Sequence, residues 1–183
     1  MLCIDEYALF ATLLMRSHEF EGSRAGTTSA LTASVGVRRY QDLFAWQLAD
    51  QFKVEVHHLI GTHPEALRRW KYRDQVLESA SAVPKDILEG FIRYSPAQFA
   101  QFLTCALASL AEAEEWIKDG VLREYFRKEE AAAALLLAKR AWMATLGLKH
   151  SQDREVRRRN QQRRRTRRRR CLRRPSREPP KEG

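Results

Sequence analysis

Cysteine is scarce in this 183-residue chain: Cys3, Cys105 and Cys171 lie far apart and make no C-x-x-C pair. That excludes a disulfide framework and a zinc knuckle, and it fits a reducing cytoplasm. Apolar runs are short as well. None approaches the roughly 20 residues of a membrane-spanning helix, so no membrane partner is expected. Tyr7 to Met15 comes nearest to a secretory signal, but Asp5 and Glu6 precede it where such a signal carries Lys or Arg. None of the eight glycines precedes Lys-Ser or Lys-Thr, which excludes a phosphate-cradling loop. No segment alternates apolar and polar residues as a strand would.

Catalytic and metal-binding groups are also missing. Glu55 and His58 have the Glu-x-x-His spacing of ferritin-type bundles, but that site needs the motif twice plus two further glutamates. His18, His63 and His150 have no Glu three positions before them. Glu89 and Glu112 border apolar stretches, yet no nucleophile or second catalytic group accompanies either. They read as structural carboxylates, partners for Arg93, a backbone amide or a neighbouring subunit. No enzyme activity, cofactor or metal is expected.

What the chain does have is helical periodicity. After an N-terminal extension (1–36) whose Ser-, Thr-, Gly- and Ala-rich residues 21–36 read as a linker, Ala45, Ala49, Phe52, Val56 and Leu59 are spaced by four and three, the seam of a helix closed by Gly61 and Pro64. A second helix is predicted from about Pro64 to Phe91 on the stripe Val76, Ala80, Val83 and Ile87, with His63 to Arg69 either its first turns or a separate one. Pro84 predicts a kink or local break near Ala80 to Val83. Ser95 reads as an N-cap, Pro96 as the first helical residue and Gln98 as the return partner of a capping box.

The third helix carries Phe99, Leu103, Ala106, Leu110, Ala113 and Ile117 in line, with Phe102, Cys105, Ser109, Glu112 and Trp116 in a second row, and ends at Asp119-Gly120. The fourth, 128–148, aligns Ala131, Leu135, Ala138, Trp142 and Thr145 and ends at Gly147. Short links between four such helices predict an all-α, antiparallel up-down-up-down four-helix bundle over 37–150. Trp46, Trp70, Trp116 and Trp142, one per helix, read as core anchors or interface plugs ahead of a base-stacking platform, and four indoles exceed what so small an interior holds.

Positive charge is concentrated at the end. Residues 151–183 hold 15 Lys and Arg against 4 Asp and Glu, so the rest of a chain of net charge +10 is close to neutral. From Arg154 to Arg174, 13 of 21 residues are Arg, with no apolar stripe; such a segment repels itself and is expected to be disordered when unbound. Arginine pairs bidentately with phosphate and stacks on bases. Arg157, Arg158, Arg159, Arg163, Arg164, Arg165, Arg167, Arg168, Arg169 and Arg170 are therefore the expected RNA or DNA contacts, with Arg68, Arg69, Lys71 and Arg73 a second basic cluster.

Several motifs in order resemble one family. YQDLFAWQLADQF (40–52), AVPKDILEG (82–90), SPAQFAQFL (95–103), ALASLAE (106–112) and the last helix resemble small bacterial four-helix-bundle proteins whose founding members are encoded in intervening sequences of large-subunit (23S) ribosomal RNA genes. The accessory protein of diversity-generating retroelements, which binds RNA and a reverse transcriptase, is similar. The resemblance covers roughly residues 40–148 and marks Pro84, Glu89, Gly90, Ser95, Pro96, Phe99, Phe102, Leu103 and Glu112 as structural positions. It implies a non-catalytic homo-oligomer, a closed ring of five bundles. Leu77 and Glu78 stand where the family commonly has two arginines, and Lys85-Asp86 replaces a small residue followed by Asn. The body has thus lost basic character, which shifts the expected nucleic-acid contact to the tail. The alternative is a scaffold for a protein partner such as a reverse transcriptase, with the tail incidental.

Overall fold

The apolar seams fold as helices, and no strand occurs among the described residues, 37–172 of the computed structural model, with side chains described to residue 168. The expected linker (1–36) and the last residues of the tail (173–183) lie outside them. A 3-10 turn at Tyr40–Asp42 precedes α1 (Phe44–Thr62), the short α2 (Pro64–Arg68), α3 (Trp70–Ile92), α4 (Pro96–Leu122) and α5 (Lys128–Leu172). The long helices close an up-down-up-down bundle in which α1 and α4 each pack against both α3 and α5.

The core follows the predicted seams on three helices. Phe52, Val56, Val76, Val83, Ile87, Leu103 and Ile117 are completely buried. The second row on α4 stays at the margin: Phe102, Ser109 and Trp116 are half-buried, Cys105 and Glu112 exposed. On α5 the stripe is rotated. Ala131, Ala134, Ala138, Ala141 and Thr145 face the core, while Leu135 and Trp142 flank it. A wall of alanines lets the backbones approach closely and pushes the larger side chains to the rim. All four tryptophans escape full burial, as expected of so small an interior.

Several helix ends differ from expectation. Pro64–Arg68 form a separate short helix, the second of the two alternatives left open there, whereas α3 runs unbroken through Pro84, because Val83, Pro84 and Ile87 are buried and hold both sides of the lost hydrogen bond against the core. Ser95 and Pro96 open α4 as predicted, but the Ser95 hydroxyl makes no capping bond and Gln98 completes no box; the Ser95 carbonyl accepts from Phe99 N at 2.8 Å. The return bond of a capping box occurs instead at α5, where Arg127 N donates to Glu130 Oε2 at 2.6 Å. That bond, ahead of the Arg127 and His63 side chains, holds the Glu130 carboxyl below its ordinary pKa.

Glu89, half-buried, makes no ion pair among the described residues; Arg93 lies over the Phe102 ring at 5.0 Å, and Glu112 accepts from Trp116 Nε1 at 3.5 Å. Asp86 accepts from the Ser109 hydroxyl at 3.3 Å, and burial raises its carboxyl pKa against the lowering by that bond.

The helix α4 continues past Gly120, its expected end, to Leu122, and only glycine fits at that position. A Cβ would meet the Tyr72 hydroxyl and lie 2.5 Å from Phe126 Cζ; at Gly90 it would lie 2.6 Å from Phe99 Cδ2 and 2.8 Å from Phe102 Cβ. Gly120→Ala is expected to destabilise by about 1–3 kcal/mol through overpacking. At Gly61 and Gly147 a Cβ meets open space, so Gly61→Ala and Gly147→Ala should stabilise by about 0.5–1 kcal/mol. Opposite signs in thermal melts check this.

The largest correction concerns the tail. Gly147 does not end α5, and residue 150, the expected boundary of the bundle, falls inside a 45-residue helix. Residues 151–172 are helical because the bundle supplies the nucleus, leaving only the small per-residue cost of propagation, and Arg and Gln are good helix formers. Acidic residues offset the repulsion at the start: Lys149 pairs with Asp153 at 3.0 Å, and Glu155 with Arg158 at 2.8 Å and Arg159 at 2.7 Å. By length and composition α5 is the one helix among the described residues apolar enough to cross a membrane, a condition that the core helix of a bundle also meets. Its alanine face is occupied by the bundle core.

Candidate nucleic-acid interface

At 1.5 Å per residue α5 is about 68 Å long, and its buried positions stop at Thr145. Beyond, Arg157, Arg158, Arg159, Arg163, Arg164, Arg165, Arg167 and Arg168 are all exposed; Arg169 and Arg170 lie in the same helix, their side chains outside the described set. A helical step of about 100° per residue puts Arg157, Arg164 and Arg168 on one face, Arg158 and Arg165 on a second, and Arg159 and Arg163 on a third. The helix presents cations all round. Arg158 and Arg159 share the single negative charge of Glu155; Arg163, Arg164, Arg165, Arg167 and Arg168 have no ion pair among the described residues.

Glu155 is the electrostatic hinge of this arrangement. The hydrogen bonds from Arg158 and Arg159 hold its carboxyl below the ordinary range, so its support for the helix is complete at neutral pH and is lost as pH falls through that lowered value. Glu155→Gln is therefore expected to reduce helicity at pH 7 and to make progressively less difference as pH falls through that lowered value, where the Glu155 carboxyl takes up its proton. Far-UV circular dichroism of the two full-length proteins checks it.

The second basic cluster lies where α2 gives way to α3. Arg68 pairs with Glu65 at 3.4 Å and Arg73 with Asp74 at 2.8 Å, whereas Arg69 and Lys71, both exposed, have no ion pair among the described residues. A groove of about 500 Å³ separates this cluster from the end of α4 and the link to α5, where Trp116, Arg123 and Tyr125 form the far wall. Arg123 is held by Asp119 at 2.7 Å. Tyr72 forms the floor: it donates to the Trp116 carbonyl at 2.9 Å and meets the Trp116 and Tyr125 rings edge-on at 6.0 and 5.0 Å. Burial, with Asp119 nearby, drives its hydroxyl pKa well above the ordinary value, so it remains a donor.

The structure does not bring the two basic surfaces together. The groove adjoins the link that leads into α5, and the arginines leave from the other end of that helix. Sequence reasoning also missed Arg123 and Tyr125, which join the cluster only through the bundle topology. Of the two roles expected for the tryptophans, core anchor or interface plug, Trp70 does not fill the first: 68% of its surface is exposed beside Arg69 and Lys71. Glu55 is half-buried and His58 exposed on α1, and no group of three metal-ligating side chains occurs among the described residues.

Compared with known proteins, residues 41–142 match the family model described as 23S rRNA-intervening sequence protein. The match spans the bundle and stops within α5, before the first of the clustered arginines. No curated protein matches the chain.

Proposed function

The chain belongs to the 23S rRNA-intervening sequence protein family, and from that premise we propose that it is a non-enzymatic, oligomeric bundle of the cytoplasm that binds RNA through the Arg-rich half of α5. The observation that carries this reading is the continuous helix itself. It presents a run of exposed arginines on a rigid arm, most without an acidic partner. Ordering the segment before it meets its ligand lowers the entropy cost of binding. Contact to phosphates by so many cations gives affinity with little sequence preference and steep dependence on salt. If five bundles form a ring, as the family resemblance suggests, five arms act on one RNA by avidity.

Replacing Arg157, Arg158, Arg159, Arg163, Arg164 and Arg165 by Gln in the full-length protein tests the reading, since Gln keeps helix propensity and removes charge. RNA affinity should fall by about 100-fold or more at 0.1 M salt. Unchanged affinity would dismiss the arm as the binding element.

One observation favours a protein-binding scaffold as the second reading. Phe44 and Val54 on α1 and Leu136 on the neighbouring α5 expose large apolar side chains. They suit contact with another copy or another protein. Native mass measurement, with and without nuclease, separates self-association from RNA-bridged assembly.

A further inference from the structure

The end of the bundle away from the arginine arm combines, in three consecutive residues, Arg69 and Lys71, two cations without an ion pair among the described residues, and the exposed indole of Trp70 between them. The other cations of the groove are compensated, Arg68 by Glu65, Arg73 by Asp74 and Arg123 by Asp119. Free positive charge is thus focused at Trp70. The indole is far from fully packed, with 68% of its surface in contact with solvent. The opposite wall is preset: Tyr72 fixes Trp116 and Tyr125 by edge-on contacts and by its bond to the Trp116 carbonyl.

We propose that this groove is a stacking site for an unpaired base of single-stranded RNA. The base lies on the face of Trp70, and Arg69 and Lys71 take the phosphates on either side. A base offers its face only when it is unstacked from its neighbours, which a single strand permits far more readily than a duplex, and stacking on an aromatic side chain tolerates any base because all four have a π-face. Duplex RNA presents phosphates and hydroxyls without free base faces, so it engages the two cations but not the indole. The groove's volume of about 500 Å³ is of the size of a single nucleotide.

The inference rests on the proposal that this protein binds RNA, and it adds which form of RNA the bundle end selects. It is tested in the full-length protein and in the variant with six arm arginines replaced by Gln, with a fluorescent oligoadenylate of about 10 nucleotides and an RNA duplex of the same length. Trp70→Ala should weaken the oligoadenylate by about 10-fold, leave the duplex unchanged, and leave the salt dependence unaltered because no charge is removed. Trp70→Phe should restore most of the loss. Arg69→Gln should instead reduce the slope against salt by about 1 for both RNAs.

Failure of the unaltered protein to bind either RNA would overturn the functional proposal itself. Binding that is indifferent to Trp70→Ala, or weakened equally for duplex, would overturn only the stacking site. A change in native mass on Trp70→Ala would assign the indole to a subunit contact and overturn it too, as would an oligoglutamate peptide that competes as well as the oligoadenylate.

Discussion

A chain ending at His150 is expected to bind RNA about a thousandfold more weakly than the full chain at 0.1 M salt. The deletion removes 15 of the 33 Lys and Arg residues and only 4 acidic ones. If about six phosphates are contacted by the arm of one subunit, each contributes roughly 0.7 to the slope of log affinity against log salt, so the loss at low salt reaches three to four decades. The bundle should survive the cut, because its buried side chains on α5 end at Thr145 and the last partly buried core partner is Leu148. What remains is the Arg69 to Lys71 groove, with two unpaired cations. Filter-binding or anisotropy titrations of both proteins against the same RNA give the ratio directly.

The largest stability effect is expected at Phe52. This ring is completely buried on α1, between the helices that close the bundle, among the largest side chains of the core. Phe52→Ala should cost about 3–5 kcal/mol from lost transfer energy and the cavity left behind. For a bundle of this size that lowers the melting temperature by about 10–25 °C. Phe102→Ala, on the half-buried second row of α4, should cost far less, because its ring already touches solvent and Arg93. Paired calorimetric melts of the two variants check the contrast.

That contrast also shows what was legible in the sequence. Apolar spacing on α1, α3 and α4 named the core because each seam is made of residues whose size and hydrophobicity agree: Phe52 and Val56, Val83 and Ile87, Leu103 and Leu110. On α5 the same rule chose Leu135 and Trp142 over Ala134 and Ala141, since spacing alone does not reveal how closely two helices approach. Gly120 and Gly147 were read alike as helix ends. One is demanded by Tyr72 and Phe126, and neither stops its helix, because burial on one side and an existing helical nucleus on the other outweigh glycine's intrinsic cost.

The two candidate surfaces were legible to different degrees. The arginines of the arm are a local feature of composition, so the sequence names them. Their helical order is not, because it depends on Glu155, Asp153 and a nucleus some 20 residues back. The groove joins Trp70 to Trp116, Arg123 and Tyr125, residues about 50 positions apart that only the packing of α3 against α4 brings together. Capping chemistry misled at Ser95, whose backbone starts α4 without help from its hydroxyl, and succeeded in kind at Glu130, where no cap was expected.

The central claim is that the arm of α5 binds RNA through its phosphates, and the dependence of affinity on salt tests it most directly. With about 6–10 phosphate contacts per bound strand, log affinity of the full chain for a single-stranded RNA should fall against log salt with a slope of about −4 to −7. A slope shallower than about −1 would mean that no more than one or two counterions are released, and would contradict the account.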